Sequence, residues 1–319
     1  MGKVISFVLI SVGIFFAIAA VLIVSQRPDG TVDGESLGFQ TGGPKPEAPL
    51  LEYTARDGAT LGYRDIPGEG PLTVLLHGSG WHGAAYENLA RMVAARTGRR
   101  VIVPDLRGHG PLASPRGDVD YIGQMEADLA DLLAHIGAPS ADFIGHSSGG
   151  GLVVRLAGGP HADILERAVL IAPFLKHNAP TARDDSNWAE PLTRRIIGLS
   201  MLNTVGITAF NGLKVIEFNL PDAILASEQG QWATQAYSYR LNTGFAPRSD
   251  YKADIAALPD FLLIAGDADE AFRADQYEPV LSDASDRGQY RILPGVGHLD
   301  ILDNATAADE IAAFVGSDD

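Results

Sequence analysis

The sequence predicts an α/β protein: a mostly parallel, doubly wound sheet with helices on both faces, preceded by a transmembrane helix. Three observations predict it. Short apolar runs alternate with amphipathic stretches after residue 50. One of those runs leads through Gly145-His146-Ser147-Ser148-Gly149 into a Gly-rich stretch with helical character. Ahead of everything, Val4 to Val24 is an uncharged run of 21 residues.

That first run is long enough to cross a hydrocarbon core, which needs about 20 residues. Lys3 precedes it and Arg27 follows. A cleaved signal peptide is the rival, because Ala17-Ile18-Ala19 suits a signal peptidase, but its apolar core would span only about 7–15 residues. The continuation through Val21-Leu22-Ile23-Val24 favours an uncleaved anchor over residues 1–25, with a cytoplasmic N-terminus and the remainder outside. Residues 26–49, rich in Gly and Pro, read as a flexible tether. Gly34-Glu35-Ser36-Leu37-Gly38 in this tether also fits Gly-x-Ser-x-Gly, but it follows no strand and opens no helix.

From residue 50 the elements come in order. Leu72 to Leu76 is a central strand that runs into His77-Gly78-Ser79-Gly80-Trp81. Glu87 to Ala95 is an amphipathic helix, and Val101 to Val103 is a strand ending in Asp105-Leu106-Arg107-Gly108-His109-Gly110. Tyr121 to Ile136 is a second amphipathic helix, punctuated by Gly137 and Pro139. Ala141 to Ile144 is the short buried strand before Ser147, and Gly150 to Ala157 suits a helix packed closely on the sheet. Ala168 to Pro173 reads as a strand, after which the alternation lapses until Phe261. Phe261 to Ala265 and Tyr290 to Pro294 are the last two strands.

The Ser147 pentapeptide reads as a nucleophile elbow, a strained strand-to-helix turn that exposes one serine oxygen. Small neighbours two positions either side relieve the crowding of that turn. A serine needs a base, and His298 follows the last strand in the Gly-bearing loop Gly295-Val296-Gly297-His298-Leu299. A carboxylate must orient the histidine, and Asp267, Asp269 and Glu270 all crowd the end of the Phe261 strand. An oxyanion needs backbone donors, for which the Ser79 amide and the Ser148 amide stand in position. The turn Asp105 to Gly110 is charged and Gly-punctuated, which reads as bracing for the neighbouring loop rather than chemistry. His82, beside Trp81, could line the pocket, whereas His146 belongs to the surroundings of the elbow.

Taken together, these residues resemble the α/β-hydrolase family, and within it the lysophospholipase or monoacylglycerol lipase-like branch. The resemblance runs from about Leu50 to the C-terminus on His77-Gly78-Ser79-Gly80, Asp105 to Gly110, the Ser147 elbow, Gly266 to Asp269, and Gly297-His298. It departs at Pro111 to Pro115, where Ser-containing motifs usually follow. The resemblance implies an α/β-hydrolase fold with an inserted helical lid: core at 50–173, lid at 174–250, core again at 251–319. It also implies that the acid is Asp269, the second aspartate of its stretch, so that the triad is Ser147, Asp269 and His298. Relatives with epoxide-opening or dehalogenating chemistry place aspartate at the elbow, which disfavours those reactions here. The implied activity is hydrolysis of carboxylic esters, with monoacylglycerol- or lysophospholipid-like esters in view. The same triad acting on amide, thioester or carbon–carbon bonds, or an idle anchored binding protein, are the alternatives.

Composition bounds the rest. The chain has 319 residues, no cysteine and a formal charge of −16. Disulfides, thiolate metal sites and a cysteine nucleophile are excluded. The acidic balance argues against nucleic acid as a partner. No metal-ligand spacing and no dinucleotide-binding glycine motif appear, so no cofactor is expected. The expected partners are an ester substrate and, through the N-terminal helix, a membrane. In the insertion, Trp188, Ile196, Ile197, Leu199, Met201, Leu202, Phe210, Ile216, Phe218 and Trp232 either build its own core or face the pocket.

Overall fold

A computed structural model describes residues 2–30, 37–38, 46–183 and 185–317; Ser36 of the second Gly-x-Ser-x-Gly lies outside the described residues. An eight-stranded sheet forms the centre. Its strands are β1 (Leu51–Thr54), β2 (Thr60–Ile66), β3 (Gly70–Leu76), β4 (Arg99–Pro104), β5 (Ala141–His146), β6 (Leu165–Ile171), β10 (Phe261–Gly266) and β11 (Gly288–Leu293). The spatial order is β1-β2-β4-β3-β5-β6-β10-β11. All neighbours from β4 to β11 are parallel, while β1–β2 and β2–β4 are antiparallel.

The central strands are apolar throughout because both faces are covered. Alternate residues supply two separate cores. Val74, Leu76, Phe143, Leu170 and Leu263 point to the face covered by α3 (Gln124–Ile136) and α4 (Ser148–Ala157). Leu75, Ile144, Val169, Leu262 and Ile264 point to the face covered by α2 (Glu87–Thr97) and α10 (Ala305–Gly316). The remaining helices of the second half are α8 (Tyr251–Ala256) and α9 (Tyr277–Ser282).

Between β6 and α8 lies the insertion. Helices α5 (Thr193–Thr204), α6 (Asp222–Leu225) and α7 (Tyr239–Gly244) are joined there by a three-stranded antiparallel sheet. Its strands are β7 (Ala189–Pro191), β8 (Lys214–Phe218) and β9 (Ala236–Ser238). The expectation was of helices; the sheet arises because Lys214 to Phe218 alternates in burial and carries β-branched and aromatic residues. Phe218 stacks on Trp188 at 5.0 Å and meets Tyr237 edge-on at 4.6 Å, which is the insertion's own core.

The apolar N-terminal run is helix α1 (Gly2–Val24). By length and composition Lys3–Val24 can cross a membrane, and it is almost wholly exposed. Its C-terminal half rests on α5. The described residues that follow do not behave as a free tether. The Asp29 and Gly30 amides donate to Glu217, the Gly38 amide to Glu270, and the Glu47 and Ala48 amides to Glu87.

Candidate active site

The site stands at the C-terminal ends of β3, β5, β10 and β11, where parallel strands direct their following loops to one edge. Ser147 follows β5 at φ 55° and ψ −122°, left-handed backbone that a non-glycine residue adopts only under strain. Close approach explains its small neighbours. A Cβ on Gly145 would lie 2.4 Å from the Gly149 carbonyl oxygen, and one on Gly149 would lie 2.5 Å from that of His77. The turn is held from outside: the Ser147 amide donates to Ile171 O, and its carbonyl accepts from Gly151 and Phe174. Helix α4 then begins at Ser148, so its positive end faces the site.

The loop after β3 brings Ser79 beside Ser148. Their hydroxyls are 2.6 Å apart, so the side chains clasp the two residues whose amides were expected to act. The loop's glycines are fixed by tyrosines. The Gly78 amide donates to Tyr86 Oη at 2.9 Å, and the Gly80 amide to Tyr237 Oη at 2.6 Å. Each tyrosine hydroxyl donates in turn to a histidine, Tyr86 to His146 Nδ1 and Tyr237 to His109 Nε2. His146 in turn donates from Nε2 to the His298 carbonyl at 3.0 Å. Burial, and then neighbouring His298, push the His146 imidazole down to about 3, which keeps it neutral in this relay. Burial likewise holds His77 down to about 4; its Nδ1 donates to Gly78 O and its Nε2 accepts from Leu106 N.

Of the three carboxylates after β10, only Asp269 reaches the imidazole. Its Oδ2 lies 2.8 Å from His298 Nδ1, and its Oδ1 accepts from the Ala271 and Phe272 amides. Both side chains are about 1% exposed. Burial alone would raise the Asp269 carboxyl, but His298 and the two amides outweigh it and hold it below the usual carboxylate range. Asp267 turns away to the Gly295 amide. Glu270 accepts from the His298 amide with one oxygen and from the Gly38 amide with the other. The second imidazole nitrogen of His298, Nε2, is buried with no partner among the described residues.

Ser147, Ser79 and His298 line one cavity of about 790 Å³. Trp81, Trp188, Ile224 and Trp232 form much of its apolar wall, and Leu37 lines it as well. His82 is not in that wall. It stacks under Trp81 and binds Gln229 O at 3.2 Å, tying the loop to the insertion, and burial pushes its imidazole down to about 3. The Asp105 turn is bracing, as its sequence suggested. Asp105 accepts from the Gly83 amide and Arg64, and Arg107 makes a two-pronged pair with Asp128. Tyr86 and Tyr237 escape sequence reasoning, since His146 lies 60 residues from Tyr86 and Gly80 lies 157 from Tyr237.

The family model of the alpha/beta hydrolase family matches residues 73–314. The chain belongs to that family. A Synechocystis protein, provisionally named a non-heme chloroperoxidase, is 27% identical over 280 residues, 82% of this chain and 96% of its own. An sn-1-specific diacylglycerol lipase from Xenopus laevis is 34% identical over 107 residues, 34% of this chain and 31% of the lipase. Among solved structures, a membrane phospholipase A described as a bacterial virulence factor superposes with a TM-score of 0.61 at 18% identity. That likeness covers 98% of this chain and 96% of the phospholipase. The enol-lactonase from Burkholderia xenovorans has a TM-score of 0.59 at 21% identity, covering 84% of this chain and all of its own. Both structural likenesses are of fold.

Proposed function

We propose that the protein is a membrane-anchored serine hydrolase that cleaves carboxylic esters of lipid-like character, monoacylglycerol or lysophospholipid among them. The observation that carries this reading is the buried Asp269–His298 pair at 2.8 Å, opening on the same cavity as the strained Ser147. In this mechanism Ser147 Oγ attacks the ester carbonyl carbon while His298 Nε2 takes its proton. The Ser79 and Ser148 amides hold the oxyanion, and Asp269 stabilises the imidazolium. The carbon–oxygen bond to the leaving alcohol breaks as His298 returns the proton to that alcohol. Water, deprotonated by His298, then attacks the acyl-serine; the acid departs and Ser147 recovers its proton.

The cavity wall supports an acyl chain as the ligand, since each methylene buried against Trp188, Ile224 and Trp232 contributes about 0.8 kcal/mol. The names of the diacylglycerol lipase and the membrane phospholipase A accord with this class. Residues 1–25 serve as an uncleaved anchor with the catalytic domain on the extracytoplasmic side, residues 26–49 as the connection and 174–250 as the lid of a core formed by 50–173 and 251–319. Retention of the anchor is supported by its packing on α5, which excision would strip bare.

The test is hydrolysis of p-nitrophenyl esters from acetate to palmitate by the full chain in detergent, beside Ser147→Ala. Activity lost in the variant, with an optimum at medium or long acyl chains, is the expected result. No activity on any ester, with turnover of matched amides, thioesters or carbon–carbon substrates, would move the triad to another bond. No turnover and no reaction of Ser147 with a fluorophosphonate would leave a binding protein.

A further inference from the structure

Helix α5 of the lid runs alongside α1. The Arg194 amide donates to Gln26 Oε1 at 2.9 Å, and Arg195 Nε donates to Ile23 O at 3.1 Å. A Cβ on Gly198 would lie only 2.7 Å from the Ala19 carbonyl oxygen. As α5 advances through 194, 195 and 198, its partners retreat through 26, 23 and 19, so the two helices are antiparallel. At 1.5 Å per residue, Thr204 lies about 9 Å beyond Gly198, beside the apolar body of α1 rather than at its polar end.

The surface that α5 leaves uncovered changes character in the same direction. Exposed Arg27 and Arg194 stand at the polar end. Beyond them the large outward residues are Ile197, Val205 and Phe210, exposed by 47%, 53% and 51%, set among exposed Thr204, Gly206, Thr208, Ala209 and Gly212. From Pro191 to Ile216 there is no Asp or Glu, in a chain that carries 40 of them among 319 residues. Four polar side chains between Ser200 and Asn211 are answered from within. Asn203 and Asn211 exchange two amide hydrogen bonds at 2.7 and 2.9 Å, Thr204 donates to Met201 O, and Ser200 pairs with Tyr239 Oη. A water-facing surface has no need of internal partners for its amides and hydroxyls, whereas hydrocarbon demands them. Basic groups at one end and apolar groups beyond match the interface and the acyl region of a bilayer.

We propose that the outer face of α5 and the turn through Phe210 are immersed in the lipid that α1 enters, so that the lid is itself a membrane-embedded element. The occupant of this surface is lipid acyl chain. The inference rests on the anchor reading of α1. Because the same lid supplies Trp188, Ile224 and Trp232 to the cavity, it also sets the cavity next to the source of its proposed substrate.

The chain has no cysteine, so single cysteines can be placed for labelling. Phe7→Cys on α1, Val205→Cys, Phe210→Cys, and Glu69→Cys at the far end of β3 are each labelled with an environment-sensitive fluorophore. The full chain is reconstituted in phosphatidylcholine vesicles containing one quarter phosphatidylglycerol, and turnover of a soluble ester checks each fold. The expected result is that labels at 205 and 210 are quenched by nitroxides on the acyl chain to the degree seen at Phe7, and are protected from aqueous iodide. If Phe7 is lipid-quenched while 205 and 210 respond to iodide as Glu69 does, the anchor stands and the immersed lid is overturned. Shielding of 205 and 210 from both quenchers overturns it too, in favour of a second copy of the chain on this face. Loss of lipid quenching at Phe7 removes the anchor reading and the inference with it.

Discussion

The loops at the end of the sheet and the lid above them are held in different ways. In the sheet loops, single side chains grip backbone amides of the same or a neighbouring loop: Tyr86 takes Gly78, Asp105 takes Gly83, Asp269 takes Ala271 and Phe272. The buried histidines there are neutral relays with defined donors and acceptors. The lid is held by long basic side chains and by backbone bonds to the same loops, Thr234 N to Gly80 O and Ser238 N to Gly117 O. Lys214 Nζ donates to three carbonyls, of Arg116, Gly117 and Ala236, and Arg116 reaches Trp232 O. Tyr237 and Thr234 also carry the lid into the loop network, Tyr237 at Gly80 and His109 and Thr234 at Gly80 and Gly108. Short side chains hold single amides around the groups that would meet the reacting carbonyl, whereas long basic side chains fasten the strands of the lid that would cover an acyl chain.

Substitutions in the two regions test this contrast. Ser147→Ala is expected to cost on the order of a million-fold in turnover of p-nitrophenyl butyrate with no change in circular dichroism. Residual turnover within a hundredfold of the parent would place the nucleophile elsewhere. Asp269→Asn should lower turnover by roughly ten-thousand-fold, because an amide fixes the wrong imidazole tautomer. A comparable loss in Asp267→Asn instead would contradict the geometry.

Acid should act on the buried histidines. In the unfolded chain His82 binds a proton below about 6.5, whereas in the folded protein it stays neutral down to about 3. Its contribution to stability is therefore full above pH 6.5 and is lost as pH falls from there towards 3. Urea midpoints of the parent should fall between pH 7 and 5, and His82→Gln should flatten that slope by up to about 1.4 kcal/mol per pH unit. Equal slopes would mean that His82 is charged when folded.

Tyr86→Phe leaves the Gly78 amide and His146 Nδ1 without their partner and should destabilise the fold by about 1–3 kcal/mol in urea. Lys214→Met, on the lid, removes a charged donor from three carbonyls and should cost about 1.5–3 kcal/mol in urea while leaving turnover of a short soluble ester nearly unchanged. If the lid variant proved the more damaging for that ester, the division between the two regions would fail.

Much of this architecture was legible because parallel strands advertise themselves as unbroken apolar runs ended by glycine. The strands at Leu72, Ala141, Ala168, Phe261 and Tyr290, and the helices at Glu87 and Tyr121, were read within a few residues. The antiparallel pair β1–β2 was missed, although Asp57-Gly58 between alternating residues is a hairpin signal. The lid sheet was hidden by its brevity, with outer strands of only three residues. At the site, chain order pointed to a serine and a histidine, but it could not choose among Asp267, Asp269 and Glu270 until a family resemblance did. Their separate tasks depend on which way each side chain leaves one tight turn. The roles of Tyr86 and Tyr237 depend on contacts 60 and 157 residues distant, which no local pattern records.

The most direct test of the account is covalent labelling. The full chain is treated with a fluorophosphonate and the modified peptide is identified by mass spectrometry, beside His298→Ala. The account predicts a single adduct on Ser147 that forms far more slowly without His298. An adduct on Ser79 or Ser148, or labelling of Ser147 at the same rate in both proteins, would contradict it.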